Sequence, residues 1–281
     1  MTRDKNFSSD TNLLYLVATP IGNMSEVSER FLSVVKEMDI IAAEDTRNTG
    51  LLLSKLGIKK ELFSLREHNE NEASSHLINL IKNGKKVAYM SDAGYPGISD
   101  PGYLLVQNAL AAGLRVSTIS GPSAFINALV ASGLETKHFY FHGFLSAKES
   151  EAKGELEEIK DKKETIIFYE APHRIIKTLK IMLEVLGDRK AVIARELTKI
   201  NEEYIRGNLS ELVQIDETTL KGEMVVLIEG NKETKTISDD EIIALAASYK
   251  EKGLSTKDSI EKVSNELKIA KNRVKKLVML D

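Results

Sequence analysis

Several stretches of the sequence place polar or conformationally unusual residues directly after apolar runs, where ligands sit in open α/β sheets. Glu44-Asp45-Thr46-Arg47 sets two carboxylates and a guanidinium side by side. Such a cluster orients a hydroxyl and tunes a proton acceptor. Asp45 or Thr46 equally suits the N-cap of a following helix. Residues 91–102, SDAGYPGISDPG, hold three glycines and two prolines, a long and stiff loop with Asp92 at its start. A preformed loop of this kind suits a small polar cofactor. The turn Thr19-Pro20-Ile21-Gly22-Asn23 lacks the G-x-G-x-x-G spacing of a dinucleotide fingerprint, and Pro20 removes a phosphate donor. Ser120-Gly121-Pro122-Ser123-Ala124 has small side chains that permit close backbone approach. Further on, Tyr169-Glu170-Ala171-Pro172-His173-Arg174 and Arg195-Glu196-Leu197-Thr198-Lys199 follow two more apolar runs. They offer His173 as a base, and Arg174, Arg195 and Lys199 as phosphate binders or surface ion-pair partners.

Elements with the right periodicity position these stretches. Leu13 to Ala18, Asp39 to Ala43, Val87 to Met90 and Arg115 to Ile119 read as buried strands. Helices fall between them, around Phe31 to Met38 with Ser25 or Ser28 as cap, Asn48 to Leu56, Ala73 to Ile81 and Tyr103 to Ala112. This alternation predicts a mostly parallel sheet. Past Pro122 a helix over Ser123 to Ser132 precedes strands at Phe139 to Phe141, Thr165 to Tyr169, Ala191 to Glu196, Tyr204 to Gly207 and Glu223 to Ile228. Helices over Lys148 to Lys160 and Arg174 to Leu186 separate the early ones. The adjacent late strands predict a mixed sheet. Polar Gly230 to Thr236 reads as a linker, and about three short helices follow. The expected organisation is therefore an α/β domain over 1–121, a second over 122–230 and a helical module over 237–281.

Composition narrows the chemistry. There is no cysteine, which excludes disulfides and thiolate metal sites. The five histidines are scattered, so no metal site is expected. No stretch approaches the roughly 18 apolar residues of a membrane span, and Met1 to Asp10 shows no signal-peptide pattern, so a cytoplasmic location is expected. The net charge is -3, so any nucleic-acid contact must use a local basic patch. Lys268 to Lys276 supplies one, with five basic residues and no acid, among them Lys271, Arg273 and Lys275. A solvated helix face is the plain alternative.

The segments LYLVATPIGN, AEDTR, SDAGYPGISDPG, SGPSA, FHGFL, YEAPHR, RELTK and GEMVVLIEG occur in an order that resembles the bacterial small-subunit rRNA methyltransferase I family, of the tetrapyrrole-methylase superfamily. The resemblance covers about Leu13 to Gly230 and, more loosely, the tail. It implies two α/β domains with S-adenosylmethionine in the cleft between them, a homodimer, and 2′-O-methylation of a cytidine in 16S rRNA of the small ribosomal subunit. It points to Ile21, Asp92, Gly94, Tyr95, Ser123, Ala124, Tyr169 and Met224 as cofactor contacts. The superfamily's glycine-rich first turn is absent here, which favours RNA over a tetrapyrrole substrate. Tetrapyrrole C-methylation and an RNA-binding assembly factor that keeps only a cofactor pocket are the competing readings. Transfer to a ribose hydroxyl needs alignment and a nearby base. Asp45, Glu170 and Glu196 are the carboxylates expected to serve, with Arg47 and Arg174 holding phosphate or lowering the hydroxyl pKa.

Overall fold

The computed structural model describes residues 3, 5–6, 12–232 and 238–279. Two compact units divide at Asn231 and Lys232. The expected linker falls partly on residues 233–237, outside the described residues, as does the expected first residue of the tail module.

The larger unit contains two five-stranded sheets. The first is formed by β1 (Leu13–Val17), β2 (Ile40–Ala43), β3 (Glu61–Ser64), β4 (Val87–Met90) and β5 (Arg115–Ile119), in the order β3-β2-β4-β1-β5. All four pairings are parallel. Helices α1 (Glu29–Glu37) and α2 (Thr46–Lys55) supply the apolar cluster of Phe31, Val35 and Leu53 with Ile41 and Met90. A second cluster joins Leu77 and Ile81 of α3 (Glu70–Lys82) and Leu105 of α4 (Tyr103–Ala111) to Leu14, Ala42 and Tyr89. Both faces of the sheet are thus covered, as near-continuous apolar strands require. Ser28, not Ser25, caps α1, accepting the Phe31 N–H at 3.1 Å. The sequence pattern missed β3. It is a short edge strand with no buried residue, so no apolar run marks it.

After α5 (Ala124–Ser132) comes the second sheet: β6 (Phe139–Phe144), β7 (Thr165–Glu170), β8 (Lys190–Arg195), β9 (Glu203–Asn208) and β10 (Met224–Ile228), ordered β6-β7-β10-β8-β9. β6 runs parallel to β7 and the other pairings are antiparallel, so the sheet is mixed. β6 is longer than its apolar start suggests because a register shift between Phe141 and Gly143 lets pairing resume. Helices α6 (Glu149–Ile159), α7 (Ile175–Leu186) and α8 (Leu209–Leu212) contribute Leu156, Leu179 and Leu212 to the cluster that buries Phe168 and Val226. α5 covers the other face with Ala128 and Leu129, beside Ile21 from the turn after β1.

The smaller unit is a three-helix cluster: α9 (Asp239–Glu251), α10 (Thr256–Leu267) and α11 (Lys271–Val278). Ile242, Ala246, Ile260, Val263, Val274 and Val278 form its core. Capping is local: Ser238 and Ser255 accept the backbone N–H groups of Glu241 and Asp258. Among the described residues no helix is long and apolar enough to cross a membrane.

Candidate active site

Parallel strands deliver their following loops to one edge of the first sheet, and hydrogen bonds fasten those loops together. Thr19 and Gly94 exchange backbone bonds of 2.9 and 3.1 Å, tying the turn after β1 to the loop after β4. The Thr19 hydroxyl donates to the Ser91 carbonyl at 3.2 Å. Gly121 N–H donates to the Tyr95 hydroxyl at 3.2 Å, adding the junction before α5. Two glycines are required by this packing. Gly94 has φ +75°, the left-handed region. A Cβ on Gly121 would lie 2.9 Å from the Ala18 Cβ.

These loops and the ends of β7 and β10 enclose a cavity of about 330 Å³. Ile21, Gly94, Tyr95, Ser123, Ala124, Tyr169 and Met224 all line it. Seven of the eight residues that the resemblance implied for the cofactor therefore meet in one place. Asp92 is the exception. Its carboxylate turns to the β2–α2 loop and accepts the Asp45 N–H at 3.2 Å and the Asn48 amide at 2.7 Å. The lining combines apolar surface from Ile21, Leu197 and Met224 with few polar groups, the makeup of a small-molecule site. Burial pushes the Tyr169 phenol up to about 12, so it stays neutral near pH 7.

The three carboxylates expected as bases fare differently. Asp45 caps α2, accepting the Arg47 N–H at 2.8 Å, and its two oxygens grip the Arg47 guanidinium. Hydrogen bonds from Arg47 hold its carboxyl well below the usual carboxylate range, which makes it a poor proton acceptor. Glu170 borders the cavity but its oxygens are taken. They accept the Thr178 hydroxyl at 2.5 Å and the Ala171 N–H at 2.8 Å, with Arg174 Nε at 3.3 Å. Glu196 lies outside the cavity lining, packed against Gly222 and 3.0 Å from Lys199 Nζ.

The expected phosphate binders are also engaged. Arg174 donates to the Leu145 carbonyl at 3.0 Å and joins Glu170, so it braces the loop between β6 and α6. Lys199 pairs with Glu196 and Glu223 and packs over Gly22. His173 is exposed and is not among the lining residues. Arg47 is not among the lining residues and keeps an 83% exposed side chain, held by Asp45.

Sequence reasoning missed two carboxylates. Glu70 is buried and accepts the N–H groups of Gly102, Leu104 and Leu105, capping α4 from another helix. No sequence signal links positions so far apart. Asp100 lines the cavity, and burial, reinforced by Glu44 and Asp92, pushes its pKa up to about 7. Its place within the stiff loop was legible; its desolvation was not. Among the described residues no cluster of His, Asp or Glu fits a metal ion.

The family model of Tetrapyrrole (Corrin/Porphyrin) Methylases matches residues 13–213. Solved structures of the same architecture include the methyltransferase CobJ, with a TM-score of 0.59 and 17% identity over 80% of this chain and 96% of that one. Another is uroporphyrin-III-C-methyltransferase from Thermus thermophilus, with a TM-score of 0.57 and 17% identity over 78% of this chain and 94% of that one. At such identity they show the fold alone. The fold and the family model thus define a methylase. Curated relatives are more specific. Ribosomal RNA small subunit methyltransferase I of Bacillus subtilis strain 168 is 40% identical over 96% of this chain and 94% of its own length. The Haemophilus influenzae Rd protein of the same name is 48% identical over 83% of each. The chain belongs to the ribosomal RNA small subunit methyltransferase I family.

Proposed function

We propose that this enzyme uses S-adenosylmethionine to methylate a cytidine ribose 2′-oxygen of 16S rRNA in the small ribosomal subunit. The observation that carries the reading is the single cavity in which loops of the parallel sheet meet Tyr169 and Met224 of the mixed sheet. Its volume lies within the roughly 300–1,000 Å³ typical of small-molecule sites. Ile21, Ala124, Leu197 and Met224 offer apolar surface for a purine and an alkyl chain, and Tyr95, Ser99 and Ser123 bring hydroxyls to the lining. S-Adenosylmethionine supplies an electrophilic methyl group on a sulfonium. The residues present fit that group: its cationic sulfur is compatible with Asp100 in the lining, its purine with the apolar side chains, and its hydroxyl and amino groups with Tyr95, Ser99, Ser123 and Tyr169. The protein's work is then alignment, exclusion of water and disposal of one proton.

RNA engages exposed basic side chains. Arg47, in the first turn of α2, keeps most of its side chain in solvent. The tail adds α11, whose Lys271 and Arg273 pair at the surface with Glu261 and Asp239 while Lys275 and Lys276 are exposed. Exposed pairs of this kind are weak enough for phosphate to displace the acid. The enzyme works in the cytoplasm as a homodimer, consistent with the exposed apolar side chains Ile126, Val130 and Phe139.

Incubation with methyl-labelled S-adenosylmethionine and small subunits lacking the modification tests the reading. Label must enter 16S rRNA and survive alkaline hydrolysis as a resistant dinucleotide, the signature of a 2′-O-methyl. Label on a base alone, or none, would overturn it.

A further inference from the structure

Taking the methyl group leaves the ribose hydroxyl with a proton to lose, and the carboxylates expected from the sequence are all committed elsewhere. Asp45 is neutralised by Arg47 and Glu170 by Thr178, Ala171 and Arg174, while Glu196 is outside the cavity. Two other carboxylates line the cavity. Glu223 is largely in solvent and pairs with Lys199 at 3.4 Å. Asp100 is half-buried, and no donor among the described residues bonds its carboxyl.

The loop that carries Asp100 is fixed at both ends. Gly97 N–H donates to the Pro101 carbonyl at 3.0 Å and Ile98 N–H to the Tyr95 carbonyl at 3.3 Å. Glu70 then holds Gly102 at 2.8 Å. Asp100 is therefore placed on a rigid segment beside Tyr169, as a positioned base requires. We propose, on the strength of the functional reading above, that Asp100 is the catalytic residue that accepts the proton of the ribose hydroxyl. The hydroxyl oxygen gains the methyl group, the sulfonium-to-methyl bond breaks with its electron pair staying on sulfur, and the hydroxyl proton passes to the Asp100 carboxylate. Solvent then removes that proton.

The neighbours that set its basicity come from several elements. Burial is the main opponent of its ionisation, and Glu44 after β2 and Asp92 after β4 add to it, giving the pKa of about 7. Tyr169 at the end of β7 and Glu223 before β10 share the cavity. A base titrating there works near neutral pH, where a normal aspartate would be too weak.

The test compares wild type, Asp100→Asn and Asp100→Glu. Wild-type kcat/KM for S-adenosylmethionine should rise with pH and level off above an inflection near 7, the value of the free enzyme. Asp100→Asn should lower turnover by about 100-fold or more and remove the inflection, with affinity for S-adenosylhomocysteine held within about threefold. Asp100→Glu should restore part of the rate and the inflection. Independently of activity, carbon-13 carboxyl titration of the free protein should show one aspartate titrating near 7 that Asp100→Asn lacks. An active Asp100→Asn, an unchanged inflection, cofactor affinity lost in step with turnover, or the missing resonance would each overturn the role of Asp100. Wild-type protein inactive on the RNA at every pH would instead overturn the functional reading, and this assignment with it.

Discussion

Arg47 and Asp45 show how geometry divides the roles within a charged motif. The sequence offered Asp45 as a base or as an N-cap, and Arg47 as a group that holds phosphate or lowers the hydroxyl pKa. The structure makes Asp45 the holder of Arg47 and a cap of α2. Arg47→Ala should therefore weaken RNA binding and flatten its salt dependence by about 0.7–0.9 per lost phosphate contact, with cofactor affinity unchanged; filter binding across a salt series checks this. Asp100 makes a second prediction at this scale. Folding raises its pKa from 3.8 to about 7. It thus favours the fold most fully below pH 3.8, and that contribution is lost as pH rises through 7. Asp100→Asn should raise the Tm more at pH 8 than at pH 4, measured by scanning calorimetry on the free protein. The cavity residues Ile21, Gly94, Tyr95, Ser123, Ala124, Tyr169 and Met224 were implied by the family resemblance, but the ranking of the carboxylates did not follow from the sequence. Ranking needs burial and partners, and the packing of Gly222 against Glu196 and the burial of Glu170 beside Thr178 arise only in the folded chain.

The elements that hold the site are fixed by a few long-range caps. Buried Glu70, at the start of α3, satisfies three N–H groups at the entrance to α4. Glu70→Ala would leave those donors unpaired and cost about 1–3 kcal/mol. It should also loosen the 91–102 loop and weaken cofactor binding, an effect that urea denaturation and calorimetry measure separately. Most elements were legible because apolar runs and helical spacing mark what is buried on both faces. β3 was not, because an edge strand such as Glu61–Ser64 owes its existence to β2, its pairing partner, rather than to its own pattern.

The whole molecule divides into a catalytic body and a helical tail, each with its own apolar core. A chain ending at Asn231 should fold, bind cofactor and show a smaller salt slope for RNA; unchanged RNA affinity would mean that the tail is no RNA-binding device. Replacing Lys271, Arg273 and Lys275 with Ala in the full chain should reproduce that smaller slope. The central claim, however, is that the cavity joining the two sheets holds the methyl donor. Calorimetric titration of wild type and Ala124→Trp with S-adenosylmethionine tests it most directly, because Ala124 lines the cavity at the start of α5. Wild type should bind one molecule per chain, and the variant, folded by circular dichroism, should bind none. Equal binding by a folded variant, or none by wild type, would contradict the account.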